Sequence, residues 1–352
     1  MAADLERWIA GGLVPEASRA GILASVPDAR RMDAAQALAW IGGVLAGVAV
    51  IAFVGANWDA LPRLAQFAVT LGFFGATAGG AAWCAANSRP GAANGLLTFA
   101  AIFFAAAIGL TGQIFDIPGD ARNLLYAAAL VAAALAVAGR ASGPAIMMLV
   151  FFAFADFEAP DMFGGTAQNW LYVPWLAFAA PAAAALAVYW RSSTLAHCAA
   201  LGLLVAAGWL AAKLEANAWT LLAFAVVLMG AAGAARFLRE RGQAGAGVLY
   251  GWLAWAAMGF YVACGVGDHG QPLNLAHRFA WLLLGGALTA LGRADRMGAI
   301  TTVGVLSLIG AVSMLMYDLG LGLLGASAMF LLAAVIAGVV GLVLRGRRKA
   351  PA

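Results

Sequence analysis

Residues 38–58 read LAWIGGVLAGVAVIAFVGANW, twenty-one positions without a charge. As a helix rising 1.5 Å per residue, such a run is about as long as the hydrocarbon layer of a bilayer is thick. The apolar stretch of a signal peptide is only about 7–15 residues and follows a short basic start. Here residues 1–35 come first, with acids and bases mixed, so the run reads as a retained first span and no cleavable signal peptide is expected.

Runs of the same kind fill the rest of the chain. Apolar length predicts spans near 36–56, 64–86, 94–112, 123–139, 142–156, 170–190, 195–212, 218–235, 247–266, 275–292, 298–316 and 322–344. The expected fold is all-α: a polytopic transmembrane helix bundle of eleven to twelve spans, in which 142–156 is the shortest and the weakest candidate to cross. Composition agrees. Of 352 residues 64% are hydrophobic and 10% charged, and mean hydropathy is +0.91. A soluble domain carries about a quarter charged residues, so lipid is the main solvent. The net charge of +4 forms no basic stripe for phosphate backbones, and no nucleic-acid partner is expected.

The position of the charges sets the orientation. With twelve spans and an inner N-terminus, sixteen of the twenty basic residues fall on one side, from Arg7, Arg19, Arg30 and Arg31 through Arg89, Arg140, Arg191, Arg236, Arg239, Arg241, Arg293 and Arg296 to the tail Arg345–Lys349. The other side holds Arg63, Arg122, Lys213 and Arg278, with nine acids: Asp59, Asp116, Asp120, Asp156, Glu158, Asp161, Glu215, Asp268 and Asp318. Basic residues stay cytoplasmic. Both termini are therefore expected in the cytoplasm and the acidic loops outside. If 142–156 did not cross, this bias would largely vanish. Trp40, Trp58, Trp83, Trp170, Trp190 and Trp219 fall at span ends, the headgroup level that indoles favour.

Residues 1–35 form a separate segment. Leu5, Trp8 and Ile9 share a helix face, Gly11-Gly12 stops that helix, and Pro15-Glu16 opens a second one carrying Ile22, Leu23 and Val26 before Pro27. These are expected to be short interfacial amphipathic helices on the cytoplasmic side, a collar on the bundle or a docking segment for a protein partner. The bundle then runs over 36–344 and a basic tail over 345–352. Within it, Gly43–Gly47 and Gly75–Gly79 are small-residue pairs suited to close helix packing. Pro174 and Pro181 are expected to kink the sixth span.

Two polar loops carry the best candidate site. Residues 55–63 include Asn57 and Asp59, with Asp59 expected to cap the second span and Pro62 to sit in its first turn. Residues 112–120 read GQIFDIPGD, with Gln113 at the edge of the hydrocarbon and Asp116 and Asp120 bracketing a Pro-Gly turn. The two loops are expected to be ordered turns, or to face each other as an outward polar site. A third outer cluster holds Asp268, His269, Gln271, Asn274, His277 and Arg278. Arg278 is expected to snorkel to the interface or to pair with an outer acid. His269 and His277 are eight apart with no short-spaced partner, so no metal is expected.

Leu5 to Leu23, the run ending Phe53-Val54-Gly55-Ala56-Asn57-Trp58, and the 112–120 loop together resemble a bacterial family of predicted integral-membrane proteins, domain of unknown function 2157. The likeness covers about residues 1–150, with Phe115 where the family would place a tyrosine, and leaves 151–344 as further spans. It implies a bacterial inner-membrane protein and supplies no activity, cofactor or catalytic residue.

No phosphate-binding loop, zinc-protease or nucleophile-elbow motif is present. Gly292–Gly298 is one residue short of the signature loop of major-facilitator transporters. Cys84, Cys198 and Cys264 lie inside apolar runs and read as small buried hydrophobes, and His197 as a satisfied histidine at an inner end. Apart from span ends, no ionisable residue occupies the centre of a predicted helix, which weakens a proton-coupled carrier. Three functions remain. First is a non-catalytic scaffold or sensor with residues 1–35 as its contact. Next comes a permease for a small or lipid-like solute, and last an outer-leaflet enzyme using Asp116, Asp120 or His269 as base. No cofactor is called for.

Overall fold

The computed structural model describes residues 2–19, 21, 56, 58–116, 118–157, 174–214, 216–265, 272–318, 325, 327 and 331. The chain divides into two compact units, Met1–Gln66 and Phe67–Ala352.

In the first unit, α1 spans Ala2–Ala10. The expected glycine stop is present: Gly12 has φ +68°, and Leu13 N–H reaches back to the Trp8 carbonyl at 2.9 Å, the left-handed C-terminal cap that glycine allows. Pro15 stands ahead of a single 3-10 turn, Glu16–Ser18. The Arg19 Nε donates to Glu6 at 2.9 Å. Both side chains are half exposed, so the tie contributes at most about 1 kcal/mol. The Ile22–Val26 helix, the first span at 36–56, the last span at 322–344 and the basic tail lie outside the described residues.

A 3-10 turn at Trp58–Ala60 precedes α2, Arg63–Ala86. Pro62 stands just before this helix, not inside its first turn, and its carbonyl receives Gln66 N–H at 3.1 Å. Asp59, in the 3-10 turn, is thus three residues short of the capping position. Gln66 Nε2 donates instead to the Trp58 carbonyl at 2.7 Å, closing the turn from the helix side.

Nine further helices follow: α3 Pro90–Ile114, α4 Ala121–Gly139, α5 Ser142–Phe157, α6 Leu176–Tyr189, α7 Ser193–Lys213, α8 Ala218–Glu240, α9 Ala244–Cys264, α10 Pro272–Ala294 and α11 Gly298–Asp318. Eight of the described helices, α2–α4 and α7–α11, are long and apolar enough to cross a membrane, while α5 and α6 are apolar but shorter. Ten of the twelve expected spans therefore coincide with described helices, and eight of these have full crossing length. Pro174 is corrected: it precedes α6, whose first residue is Leu176, and only Pro181 lies within that helix.

One turn recurs five times. Ser88, Arg140, Arg191, Gly242 and Arg296 all have positive φ, between 46° and 82°. After each, the next N–H bonds a carbonyl five residues back: Arg89 to Cys84, Ala141 to Ala136, Ser192 to Ala187, Gln243 to Leu238 and Met297 to Gly292, at 2.8–3.2 Å. The following helix begins at once. The unit Phe67–Ala352 is therefore a series of antiparallel hairpins, α2/α3 to α10/α11, whose turns recur at intervals of 52, 51, 51 and 54 residues. The closing motif satisfies the last helical carbonyls without side chains. At the opposite ends α4 and α8 are capped by side chains, as where Asn217 Oδ1 accepts Trp219 and Thr220 N–H at 3.0 Å.

The interior is built of alanine. Ala128, Ala129, Ala132, Ala180, Ala183, Ala199, Ala200, Ala254 and Ala257 are fully buried, which lets helix backbones approach closely in an apolar solvent. Phenylalanine spaces α2 from α3, through Phe73–Phe103 and Phe74–Phe104 at 5.4 and 5.5 Å. Among the described residues nothing stands within 4 Å of a Cβ added at Gly75 or Gly79, and Gly43–Gly47 lies outside them. The tightest crossing is α10 on α11, where a Cβ at Gly304 would stand 2.8 Å from the Gly285 carbonyl oxygen and 2.5 Å from Thr289 N. Backbone cannot yield there as a side-chain tip can. Gly304→Ala is therefore expected to cost about 1–3 kcal/mol and Gly75→Ala nothing, compared by thermal denaturation in detergent.

Candidate functional site

The expected site loop is shaped by the end of α3. Thr111 Oγ1 donates to the Ala107 carbonyl at 2.6 Å, and Phe115 N–H to the Thr111 carbonyl at 3.1 Å. Asp116 then turns left-handed, φ 55°, a conformation that aspartate tolerates better than most residues. Pro118-Gly119 carries the chain round to Asp120, whose Oδ1 accepts Arg122 N–H at 2.9 Å and so caps α4. The Arg122 guanidinium lies 3.6 Å from the other oxygen.

Beneath this loop is an open pocket of about 1190 Å³. Gln113, Asp116, Asp120 and Asn123 form its polar rim, while Phe67, Leu71, Phe104, Ile108 and Leu124 make an apolar floor. Phe115 packs edge-on against Phe67, centroids 5.9 Å apart. Three sequence candidates, Gln113, Asp116 and Asp120, thus share one cavity. Among its described lining residues the two carboxylates are the only ionisable side chains, and no histidine, cysteine or lysine accompanies them. Asn57, Asp268 and His269 lie outside the described residues, and Asp59 is described by its backbone alone.

Arg278 is elsewhere, and the snorkelling expectation is overturned: the side chain is fully buried. Its Nε donates to Asp318 Oδ2 at 2.8 Å, and Nη1 to the Gly265 carbonyl at 3.2 Å and His277 Nδ1 at 3.1 Å. The other reading, pairing with an outer acid, is the observed one. Turning inward places the charge on a carboxylate and keeps it out of lipid. A guanidinium only donates, so His277 Nδ1 must be the acceptor and Nε2 carries the proton, donated to the Tyr261 carbonyl at 3.0 Å. The ring stacks on Tyr261 at 4.6 Å. Both nitrogens are committed to this network, and the ring's one lone pair, on Nδ1, is used by Arg278. Cys264 Sγ donates to the Tyr261 carbonyl at 2.9 Å. His197 is satisfied, as expected, by Trp252 Nε1 at 2.9 Å.

Two polar centres were not legible in the sequence. Asp156, counted among outer acids, is 1% exposed and accepts from Tyr126 Oη at 2.8 Å and Leu176 N–H at 2.8 Å. Asp295, in the turn between α10 and α11, receives Arg236 Nε and Nη2 at 2.7 and 2.8 Å and Tyr250 Oη at 3.2 Å. The doubly bonded Arg236 guanidinium holds the Asp295 carboxyl below the usual carboxylate range. A depressed folded value contributes stability that is complete above the unfolded value of about 3.9 and fades as pH falls through the folded one. The stability gap between wild type and Asp295→Asn is thus expected to be constant from neutral pH to about 5 and to shrink below about 4, read from melting curves over a pH series. A gap unchanged at the acid end would refute this role.

No curated protein and no solved structure matches the chain. The family comparison does find a match, and it covers the first described helices together with the pocket loop: residues 6–145 match the family described as predicted membrane protein, DUF2157.

Proposed function

We propose that this integral membrane protein binds an amphiphilic organic cation in the pocket under the 115–120 loop, for passage across or sensing at the membrane, without covalent chemistry. The observation that carries the reading is the pocket's two-part lining: carboxylates and amides at the rim, phenylalanine and leucine below. A cation with an apolar body answers both. Among the described lining residues no nucleophile is paired with a base, which favours binding over catalysis. Arginine-bearing turns at one end of the helices and Asp116, Asp120, Asp156 and Asp318 at the other support an inner-membrane orientation with the arginines cytoplasmic and the pocket outside.

Binding and uptake of tetraphenylphosphonium by proteoliposomes tests this. Asp116→Asn combined with Asp120→Asn is expected to weaken binding about tenfold, from two exposed charges each contributing under about 1 kcal/mol. Asparagine still caps α4, so the fold is kept. Unchanged affinity would refute the reading. A second reading, a contact for a protein partner through residues 1–35, is favoured by the exposure of Trp8 and Leu13 in the segment that Glu6 and Arg19 tie together. Pull-down unaffected by deletion of residues 1–34 would exclude it.

A further inference from the structure

A second cavity lies apart from the pocket just described. It is an open groove of about 930 Å³ running along α9, where Ala244, Gly247, Gly251, Trp255, Gly259 and Ala263 form one stripe. From Ala244 to Ala263 a helix rises about 28 Å, so the groove follows most of a span. Its two indole N–H groups are engaged: Trp252 Nε1 donates to His197 Nδ1 at 2.9 Å and Trp255 Nε1 to the Ala299 carbonyl at 3.2 Å. Apart from His197 the lining is a largely apolar channel on a helix that is itself long and apolar enough to cross a membrane.

One end of the groove differs from the other. Met297 and Ala299 line it there, and Arg239 Cδ lies 3.3 Å from where a Gly247 Cβ would stand. Arg236, Arg239, Arg241, Arg293 and Arg296 gather at these turns against two acids, Glu240 and Asp295. Both acids are bonded to Arg236. The end of the channel therefore has a positive surplus, which complements a phosphate. A transmembrane helix from a second copy fits less well. Helices pack on small-residue ridges, and Trp255, 40% exposed, interrupts the ridge halfway.

We infer that this groove is a binding site for an anionic phospholipid, with acyl chain along α9 and phosphate at the Arg239–Arg293–Arg296 end. The test uses the full-length protein in vesicles of phosphatidylcholine with either phosphatidylglycerol or more phosphatidylcholine as the brominated component. Tryptophan quenching is compared in wild type and Trp255→Phe, so that the difference reports Trp255 apart from Trp252, which also lines the groove. Brominated phosphatidylglycerol is expected to quench Trp255 in preference to brominated phosphatidylcholine. Each of Arg293→Gln and Arg296→Gln is expected to lower that preference by about fivefold, the effect of one surface cation. Gly251→Leu with Gly259→Leu, which fills the channel, is expected to remove Trp255 quenching by either lipid. Equal quenching by the two lipids in wild type would overturn the proposal as unselective lipid contact. No quenching of Trp255 by either would overturn it as a groove covered by protein. A wild-type dimer that the leucine pair converts to monomer would overturn it in favour of self-association. The wild-type and arginine comparisons decide the matter even if the leucine pair does not fold.

Discussion

Asp318→Ala is expected to destabilise the protein by about 3–5 kcal/mol, among the largest effects of any single substitution. Arg278 has no exposed surface and Asp318 very little. Removing the carboxylate strands a guanidinium among α9, α10 and α11, where relocation into lipid is also costly. Its remaining acceptors, the Gly265 carbonyl and His277 Nδ1, are neutral, and Nη2 has no acceptor among the described residues. Neither supplies a counter-charge. Arg278→Met with Asp318→Leu removes both charges together and is expected to recover most of the loss, because a buried ion pair is often replaceable by apolar groups of similar volume. The comparison is made by denaturant titration of the purified protein in mixed micelles. An Asp318→Ala variant within about 1 kcal/mol of wild type would mean that water reaches the pair and that it behaves as a surface bridge.

The contrast between Arg278 and Arg122 shows what a sequence reveals here. Each stands in the first turns of an apolar helix at the acidic end of the hairpins. Arg122 stays near Asp120, two residues away, and is partly exposed; Arg278 finds Asp318 on the adjoining helix, forty residues on. Hydrophobic length located ten helices because it is a local property of the chain. Rotation of a helix about its axis is set by packing against neighbours, so partners thirty to sixty residues apart were not legible. The same limit explains Asp156 with Tyr126 and Asp295 with Arg236. The loop at 112–120 was legible, since Pro-Gly turns, a capping aspartate and an amide at a helix end act within a few residues of themselves.

The fivefold turn was hidden for a different reason. A left-handed cap is usually announced by glycine, yet only Gly242 does so. Arginine fills the position at 140, 191 and 296, and serine at 88. Those arginines were read from the sequence as topology signals alone. In the folded chain they also accept a conformation that costs an L-residue about 1–2 kcal/mol. Charge placement at this end of the hairpins thus coincides with a strained backbone site, which favours a role for the arginine head beyond closing the turn.

Asp156→Ala is expected to be about as damaging as the loss of Asp318. α6 is the shortest of the described bundle helices, and its N-cap residue Trp175 has helical φ and ψ and makes no side-chain cap bond. The carboxylate of Asp156 arrives from the end of α5 to do that work, Oδ1 accepting Trp175 N–H at 3.2 Å and Oδ2 accepting Leu176 N–H at 2.8 Å. It also meets the positive end of the helix dipole. Pro174 contributes no N–H of its own, so the carboxylate serves the first two donors that exist. Its truncation leaves the buried Leu176 amide and the partly buried Trp175 amide and Tyr126 hydroxyl without this acceptor, each costing up to about 1–3 kcal/mol. Asparagine keeps an acceptor but turns a donor toward one of the amides, and should fall between alanine and wild type. Tyr126→Phe removes one neutral donor and is expected to cost about 1 kcal/mol or less. The order Asp156→Ala, Asp156→Asn, Tyr126→Phe, read from denaturant midpoints, distinguishes a carboxylate that anchors α6 from one that only binds the tyrosine. In the latter case Tyr126→Phe would be the equal of Asp156→Ala.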